Sequence, residues 1–209
     1  MKNHYTPSYY SRYYVAPLFT RLHIADFYYL WIAYFCLIRP AKLKQGDRVL
    51  DFGCGVGAWV WALRKFGIEA YGVDSGIGAK KYSRMPQFCT YGNTDKLNFP
   101  NNYFSLIFSN EVLEHIPEKK LPAVLNELLR VSRGLMIHMV GVADKGSMVT
   151  EEPSHEIIED ERWWSAFFGK LGYTISRGSR FYFFPHVHLA LTGKVSWEGL
   201  KSGYFILRK

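Results

Sequence analysis

Cysteine is scarce in this 209-residue chain. There are three, Cys36, Cys54 and Cys89, and none of the paired spacings that hold zinc or build a disulfide framework. That excludes a small disulfide-stapled scaffold and fits a reducing compartment, so a cytoplasmic location is expected. Long apolar runs are missing too. The first twenty residues show no apolar stretch of the kind that marks a secretory signal. The most apolar segment, 21–38, is broken by Arg21, His23 and Asp26. Only 27–38 is uncharged, well short of the ~20 residues a spanning helix needs. Internal repeats, low-complexity blocks and an interdomain linker are absent as well. One domain with an N-terminal extension is the simplest division, with boundaries expected at 1–45 and 46–209.

Acidic residues are in deficit, 18 against 26 Lys and Arg, and the deficit is local. Residues 1–45 hold six Lys and Arg against Asp26 alone, a balance of +5. Residues 173–209 hold six against Glu198 alone, again +5, while 46–172 hold fourteen against sixteen, or −2. A near-neutral core with basic flanks is open to three partners: nucleic acid, anionic lipid or an acidic substrate. An ordinary basic surface is the plain alternative. What the chain has in quantity is hydrophobic side chains, at 48%, enough for a sizeable core.

The chain is organised around 47–74, DRVLDFGCGVGAWVWALRKFGIEAYGVD. Residues 48–52 read as a buried strand, Gly53, Gly55 and Gly57 as a turn, 58–66 as a helix ended by Gly67, and 70–73 as a second strand ending at Asp74. Strand, glycine turn, helix, strand and acid form the front half of a nucleotide-binding α/β unit. The glycines permit a sharp turn and a close approach of ligand to backbone N–H groups. The helix start favours an anionic group, and Asp74 can take the hydroxyls of a ribose. Gly53, Gly55 and Ala58 also satisfy the loose dinucleotide fingerprint. Asp51, two residues before the first glycine, argues for a different ligand. A dinucleotide site has an apolar residue there, whereas a carboxylate suits a ligand carrying a sulfonium or an ammonium.

Downstream, 103–109 reads as a strand, 111–115 as the start of a helical turn and 119–132 as an amphipathic helix. Residues 135–140 read as a strand, 159–171 as an aromatic helix, and 173–176, 180–184 and 203–207 as late strands. Between the last two lies a longer loop, 186–202, with His186 and His188, and 178–201 as a whole is expected as an insert. Strands alternating with helices predict a parallel sheet.

Three blocks, VLDFGCGVG, YGVD and LNFPNNYFSLIFSNEVLEHI, resemble in order and spacing the Rossmann-like S-adenosylmethionine-dependent methyltransferases of type 11, siblings of the ubiquinone-type O-methyltransferases. The resemblance covers about 46–176. It implies an α/β fold, a doubly wound, mostly parallel sheet of about seven strands with helices on both faces. It also implies S-adenosylmethionine as cofactor. Carried over residue by residue, Asp51, Gly53 and Gly55 would line the methionine end, with Cys54 and Gly57 in the same loop. Asp74, followed by Ser75, would hold the ribose, Asn93 and Thr94 would flank the adenine, and Asn110 would face the sulfonium. Asn93 stands where an acid is more usual, and Ser105 replaces a frequent Asp.

The acceptor side is less defined. Transfer to a hydroxyl needs a general base, or a metal that lowers its pKa. His115 and His155 are the candidate bases. Glu111 and His115, four apart, would share a helix face with Glu114 adjacent. The pattern E-x-x-E-H with a later His resembles the metal set of small-RNA 2′-O-methyltransferases, which implies a divalent metal on Glu111, Glu114, His115 and His155. A purely structural role for the same residues stays open. The expected reaction is O-methylation of a small or lipid-linked metabolite, such as a sugar or phenol. RNA 2′-O-methylation and a non-catalytic binding module are the alternatives. The aromatic N-terminal segment is expected as a helical lid, a helix packed on the core or a peripheral membrane contact.

Overall fold

A computed structural model describes residues 24–142, 154–177 and 202–209. The expected strand at 180–184, the insert 178–201 with its histidines, and the tyrosine-rich residues before 24 lie outside these.

Seven strands form one sheet in the order β3-β2-β1-β4-β5-β7-β6. They are β1 (Arg48–Phe52), β2 (Glu69–Asp74), β3 (Cys89–Tyr91), β4 (Leu106–Asn110), β5 (Leu135–Gly141), β6 (Thr174–Arg177) and β7 (Ser202–Arg208). The first five pair in parallel, and β7 runs antiparallel between β5 and β6. Alternation along each strand divides its side chains between two cores. Leu50, Phe52, Ile107, Met136, Val140, Phe205 and Leu207 face one side. Val49, Leu106, Phe108, Ile137, Met139 and Ile206 face the other. With both faces buried, the strands read as apolar runs rather than as alternating ones.

The first face is covered by α3 (Leu121–Val131) and α4 (Glu161–Lys170), which bring Leu121, Leu125, Leu128, Val131, Trp164 and Phe168 into its core. Pro122 sits in the first turn of α3, where a missing N–H costs nothing. Asp160 caps α4 by accepting from Trp163 N–H at 2.8 Å. The second face is covered by α1 (Ile24–Ile32) and α2 (Ala58–Lys65). A π-helical turn, Ala33–Ile38, continues α1 and buries Ala33, Cys36 and Leu37. The segment then runs on past Pro40 and ends at Lys42, whose φ is 53°. The Tyr204 hydroxyl donates to the Cys36 carbonyl, tying this layer to β7. The described part of the N-terminal extension is therefore an integral layer of the sheet sandwich.

Residues 111–115 do not start a regular helix. Glu111 has φ 54° and its N–H donates to the Met139 carbonyl at 2.8 Å, prolonging the β4–β5 ladder. Only Leu113–His115 makes a single tight turn. Glu111 and His115 thus do not share a helical face, because the backbone spends that step turning off the sheet.

Candidate functional site

From β1 the chain runs outward to β2 and β3, then returns to β4 and β5 on the other side of β1. In such sheets the crevice beyond the strand ends at the reversal, here β1 and β4, takes the ligand. Gly53, Gly55 and Gly57 line it with φ of 81°, 50° and 77°. The N–H groups of Gly53 and Cys54 both donate to the Val73 carbonyl, at 2.8 and 3.0 Å, folding the loop over the end of β2. A Cβ on Gly53 would lie 2.2 Å from Val112 Cγ2, so this position needs glycine for its packing as well as its turn.

Asp51 lies beneath that loop, 1% exposed, with no hydrogen-bond partner on either carboxylate oxygen. Burial, and after it the neighbouring Cys89 and Asp74, pushes its carboxyl well above the usual carboxylate range. A bare carboxylate in such a place is costly unless a cation or donor meets it. Asn110, at the end of β4, also carries a buried, unpartnered Oδ1. Orphaned acceptors at adjacent strand ends, under a glycine loop, fit a ligand with a cationic or donor-bearing end. They suit the methionine portion of S-adenosylmethionine better than a pyrophosphate, which would repel Asp51.

Asp74 is already engaged by backbone. Its Oδ2 accepts from Gly55 N–H at 2.7 Å and its Oδ1 from Gly76 N–H at 2.6 Å. Burial raises its carboxyl, and these two N–H groups oppose the rise. Each oxygen keeps a second lone pair for a ribose hydroxyl. Ser75 is exposed beside it. Asn93 is exposed, and its Oδ1 accepts from Asp95 N–H at 2.8 Å, so the oxygen expected to meet an adenine amino group already holds one donor. Thr94 is half-buried next to it.

Sequence reasoning missed three contributors to this end. Tyr91 donates its hydroxyl to the Gly55 carbonyl at 3.0 Å. Tyr29 on α1 packs edge-on against Trp59, with ring centroids 5.0 Å apart, and interacts electrostatically with Asp51. Its α1 neighbour Asp26 is ion-paired with Arg84 at 2.8 Å. Cys89 lies against the loop from β3: a Cβ on Gly57 would come within 3.0 Å of its Sγ. Nothing local to the glycine loop announces these residues, because Tyr29 arrives from α1 and Cys89 and Tyr91 from β3.

The acceptor end gathers where β4, β5 and residues 154–156 meet. Glu114 is fully buried, and its Oε1 accepts from Gly141 N–H at 2.6 Å. Burial and then the Glu111 carboxyl raise Glu114 well above the usual range. We read these two side chains as a pair sharing a proton. The backbone carbonyl of Glu114 accepts from Glu156 and Ile157 N–H, which brings His155 over the turn. The rings of His115 and His155 then lie 4.7 Å apart. His115 Nδ1 lies 3.0 Å from the Ser154 carbonyl, an acceptor only, so Nδ1 carries the proton and Nε2 is the basic nitrogen. Of the four residues expected as metal ligands, Glu114, His115 and His155 bring ligand atoms within 4.8 Å of one another. Glu111 instead turns to the Glu114 carboxyl. Beyond this turn runs an open groove of about 560 Å³ between Pro117, Glu118, Lys119, Pro122, Glu156 and Phe167.

Known proteins share this architecture. A family model described as a methyltransferase domain matches residues 26–179. The chain is 30% identical over 99 residues to the sphingolipid C9-methyltransferase of Candida albicans, covering 41% of this chain and 19% of that protein. It is 25% identical over 134 residues to the malonyl-[acyl-carrier protein] O-methyltransferase of Serratia marcescens, covering 63% of this chain and 52% of that one. The chain thus spans about a fifth to a half of the length of these curated relatives. Among solved structures, a SAM-dependent methyltransferase from Archaeoglobus fulgidus superposes with a TM-score of 0.60 at 17% identity, over 88% of this chain and all of that one.

Proposed function

Because the chain belongs to the methyltransferase-domain family, we propose that it moves a methyl group from S-adenosylmethionine to a hydroxyl of a small or lipid-linked metabolite. The observation that carries the cofactor half is the orphaned, fully buried Asp51 beneath the glycine loop. When bound, that cofactor supplies an electrophilic methyl group on a sulfonium. Asp51 and Asn110 would hold its charged methionine end, the glycine loop would run close beside it with no Cβ in the way, and Asp74 would hold its ribose. Asn93 and Thr94 would flank the base. Holding the acceptor oxygen close to and in line with the methyl group does much of the catalysis. His115 supports the acid–base half: the Ser154 carbonyl fixes its tautomer, so Nε2 is the ring nitrogen that would take the hydroxyl proton.

Oxygen is our choice of acceptor atom because His115 and His155 lie together at the mouth of the β4 end. Of the two relatives above, one name specifies carbon and the other oxygen, so the family alone does not choose. A second reading rests on the cluster of Glu114, His115 and His155. One carboxylate and two imidazoles suit a zinc-like or manganese-like ion. Such an ion would serve an RNA 2′-hydroxyl, with the basic flanks of the chain meeting phosphates. It would have to displace the proton that Glu111 and Glu114 share. We propose a lid or membrane-surface role for the N-terminal extension only in addition to its packing as a layer on the sheet. Among the described residues no helix is long and apolar enough to cross a membrane.

The test is incubation with methyl-labelled S-adenosylmethionine, a metabolite and lipid extract, and total RNA, followed by mass spectrometry of each pool. Label in a metabolite or lipid ether or ester, unaffected by a chelator, supports the main reading. Label in RNA that needs added metal supports the second. Label in neither pool, from protein that binds the cofactor, would favour a non-catalytic binding module.

A further inference from the structure

Cys54 sits between the two glycines of the loop, and Cys89 opens β3. They belong to elements separated by β2, yet their sulfurs meet. Gly72 of β2 makes the room: a Cβ there would lie 2.7 Å from Cys54 Sγ and 2.9 Å from Cys89 Sγ. The Cys54 thiol donates to the Gly55 carbonyl at 3.8 Å, and its sulfur lies beside that of Cys89 over Gly72. Both are reduced, and they are 5% and 9% exposed. The third cysteine, Cys36, is buried under Tyr204 in a different layer.

We propose that Cys54 and Cys89 are a thiol–disulfide modification site, oxidised by a peroxide-class oxidant, whose closure withdraws the glycine loop from the cofactor. This rests on the cofactor reading above.

The chemistry divides between the two thiols. The neighbouring Cys54 thiol, and less strongly Ser83, lower the Cys89 thiol against the opposing effect of burial. Cys89 is therefore the nucleophile and Cys54, pushed the other way, the resolving thiol. The Cys89 thiolate attacks hydrogen peroxide, breaking the O–O bond to give a sulfenic acid and hydroxide. The Cys54 sulfur then displaces the sulfenic oxygen. One S–S bond forms and the two thiol protons leave in water, so two thiols and one peroxide give one disulfide and two waters. At 5% and 9% exposure the pair is closed to a bulky disulfide such as oxidised glutathione, which is why the oxidant proposed is a small peroxide.

The geometry supplies the consequence. Two sulfurs that only adjoin must close to about 2.05 Å in a disulfide. Cys89 is held in the β2–β3 ladder opposite Gly72, so the loop must move. Cys54 carries Gly55 with it, and Gly55 N–H is the donor that Asp74 holds at 2.7 Å. Contraction toward β3 pulls this N–H from Asp74 and shifts the backbone that would face the ligand.

The experiment treats the full chain with hydrogen peroxide, with and without later dithiothreitol. It reads tryptic peptides and the calorimetric affinity for S-adenosylhomocysteine. Peptides 49–64 and 85–96 should appear joined, short of two hydrogens. Affinity should fall by about tenfold or more, roughly 1.4 kcal/mol, and return on reduction. Cys89→Ser, or Cys89→Ala if that variant folds poorly, should form no link and keep its affinity through the same treatment. Absence of the joined peptide in the oxidised wild type overturns the proposal, and so does an unchanged affinity once the link has formed. A reduced protein that does not bind S-adenosylhomocysteine breaks the cofactor reading and takes the regulatory half of this one with it. A reduced protein that binds, and still binds when linked, breaks only this one.

Discussion

The two ends of the crevice solve opposite problems. At the β1–β2 end the chain leaves acceptors bare: both oxygens of Asp51 are sealed in without a partner. At the β4–β5 end the acid–base groups are mostly held from within, with Glu114 Oε1 on Gly141 N–H, Glu111 on Glu114 and His115 on the Ser154 carbonyl, while Glu114 Oε2 and Asn110 Oδ1 stay buried without a partner. A bare buried acceptor is costly in the unliganded fold and is relieved by binding. A satisfied, tautomer-fixed imidazole costs little and stands ready to take a proton. The first end therefore reads as a grip and the second as a working edge, and perturbations should separate them.

The largest expected effect is on the working edge. His115→Ala should lower the rate of methyl transfer by about 10²–10⁴-fold while leaving S-adenosylhomocysteine affinity within experimental error. A parallel loss of affinity would mean that the two ends are not distinct. Next comes the frame of the grip. Gly53→Ala forces a Cβ onto Val112 and a side chain onto φ 81°. It should cost about 2–4 kcal/mol of stability by denaturant melting, partly recovered in Gly53→Ala/Val112→Ala. Full stability in the single variant would contradict the loop packing described.

Asp51→Asn is smaller and sharper. Cofactor affinity should fall by about 1–3 kcal/mol, whereas the unliganded protein should gain stability at neutral pH. The sign follows from the raised carboxyl of Asp51. Its stabilising contribution is complete below the unfolded value of about 4 and is lost as pH rises through its higher folded value. Glu114 acts in the same direction, so Asp51→Asn should flatten, without abolishing, the fall in melting temperature with rising pH. A control far from both ends is Asp160→Ala, which removes the cap of α4. It should cost about 1 kcal/mol of stability and leave binding and rate unchanged.

The same contrast explains what could be read from the chain alone. The grip is written in consecutive residues. Glycines at alternate positions, an acid two before the first and an acid closing the next strand specify a turn, its strands and a class of ligand. The working edge depends on contacts distant in sequence. Glu111 looked helical with His115, but Met139 claims its N–H and Glu111 turns to φ 54°. His155 reaches His115 only because Glu156 and Ile157 bond to the Glu114 carbonyl. Tyr29 enters the grip from α1 and Tyr91 and Cys89 from β3, and the hollow shared by Cys54 and Cys89 exists only because Gly72 of β2 lies opposite Cys89. The parallel pairing of the first five strands follows from the alternation of strands and helices, whereas their order, reversing at β1 and β4, does not. The antiparallel insertion of β7 between β5 and β6 has no such local signal.

The most direct test of the central claim is a calorimetric titration of S-adenosylmethionine into the wild type and Asp51→Asn across about pH 6 to 8, a range above the ordinary carboxylate value. If a buried, proton-retaining Asp51 meets the cationic end of the ligand, wild-type affinity rises with pH and the heat depends on the ionisation enthalpy of the buffer. Asp51→Asn then binds more weakly and without the part of that dependence that Asp51 supplies. Equal affinity and an equal pH profile in the two proteins would contradict the account.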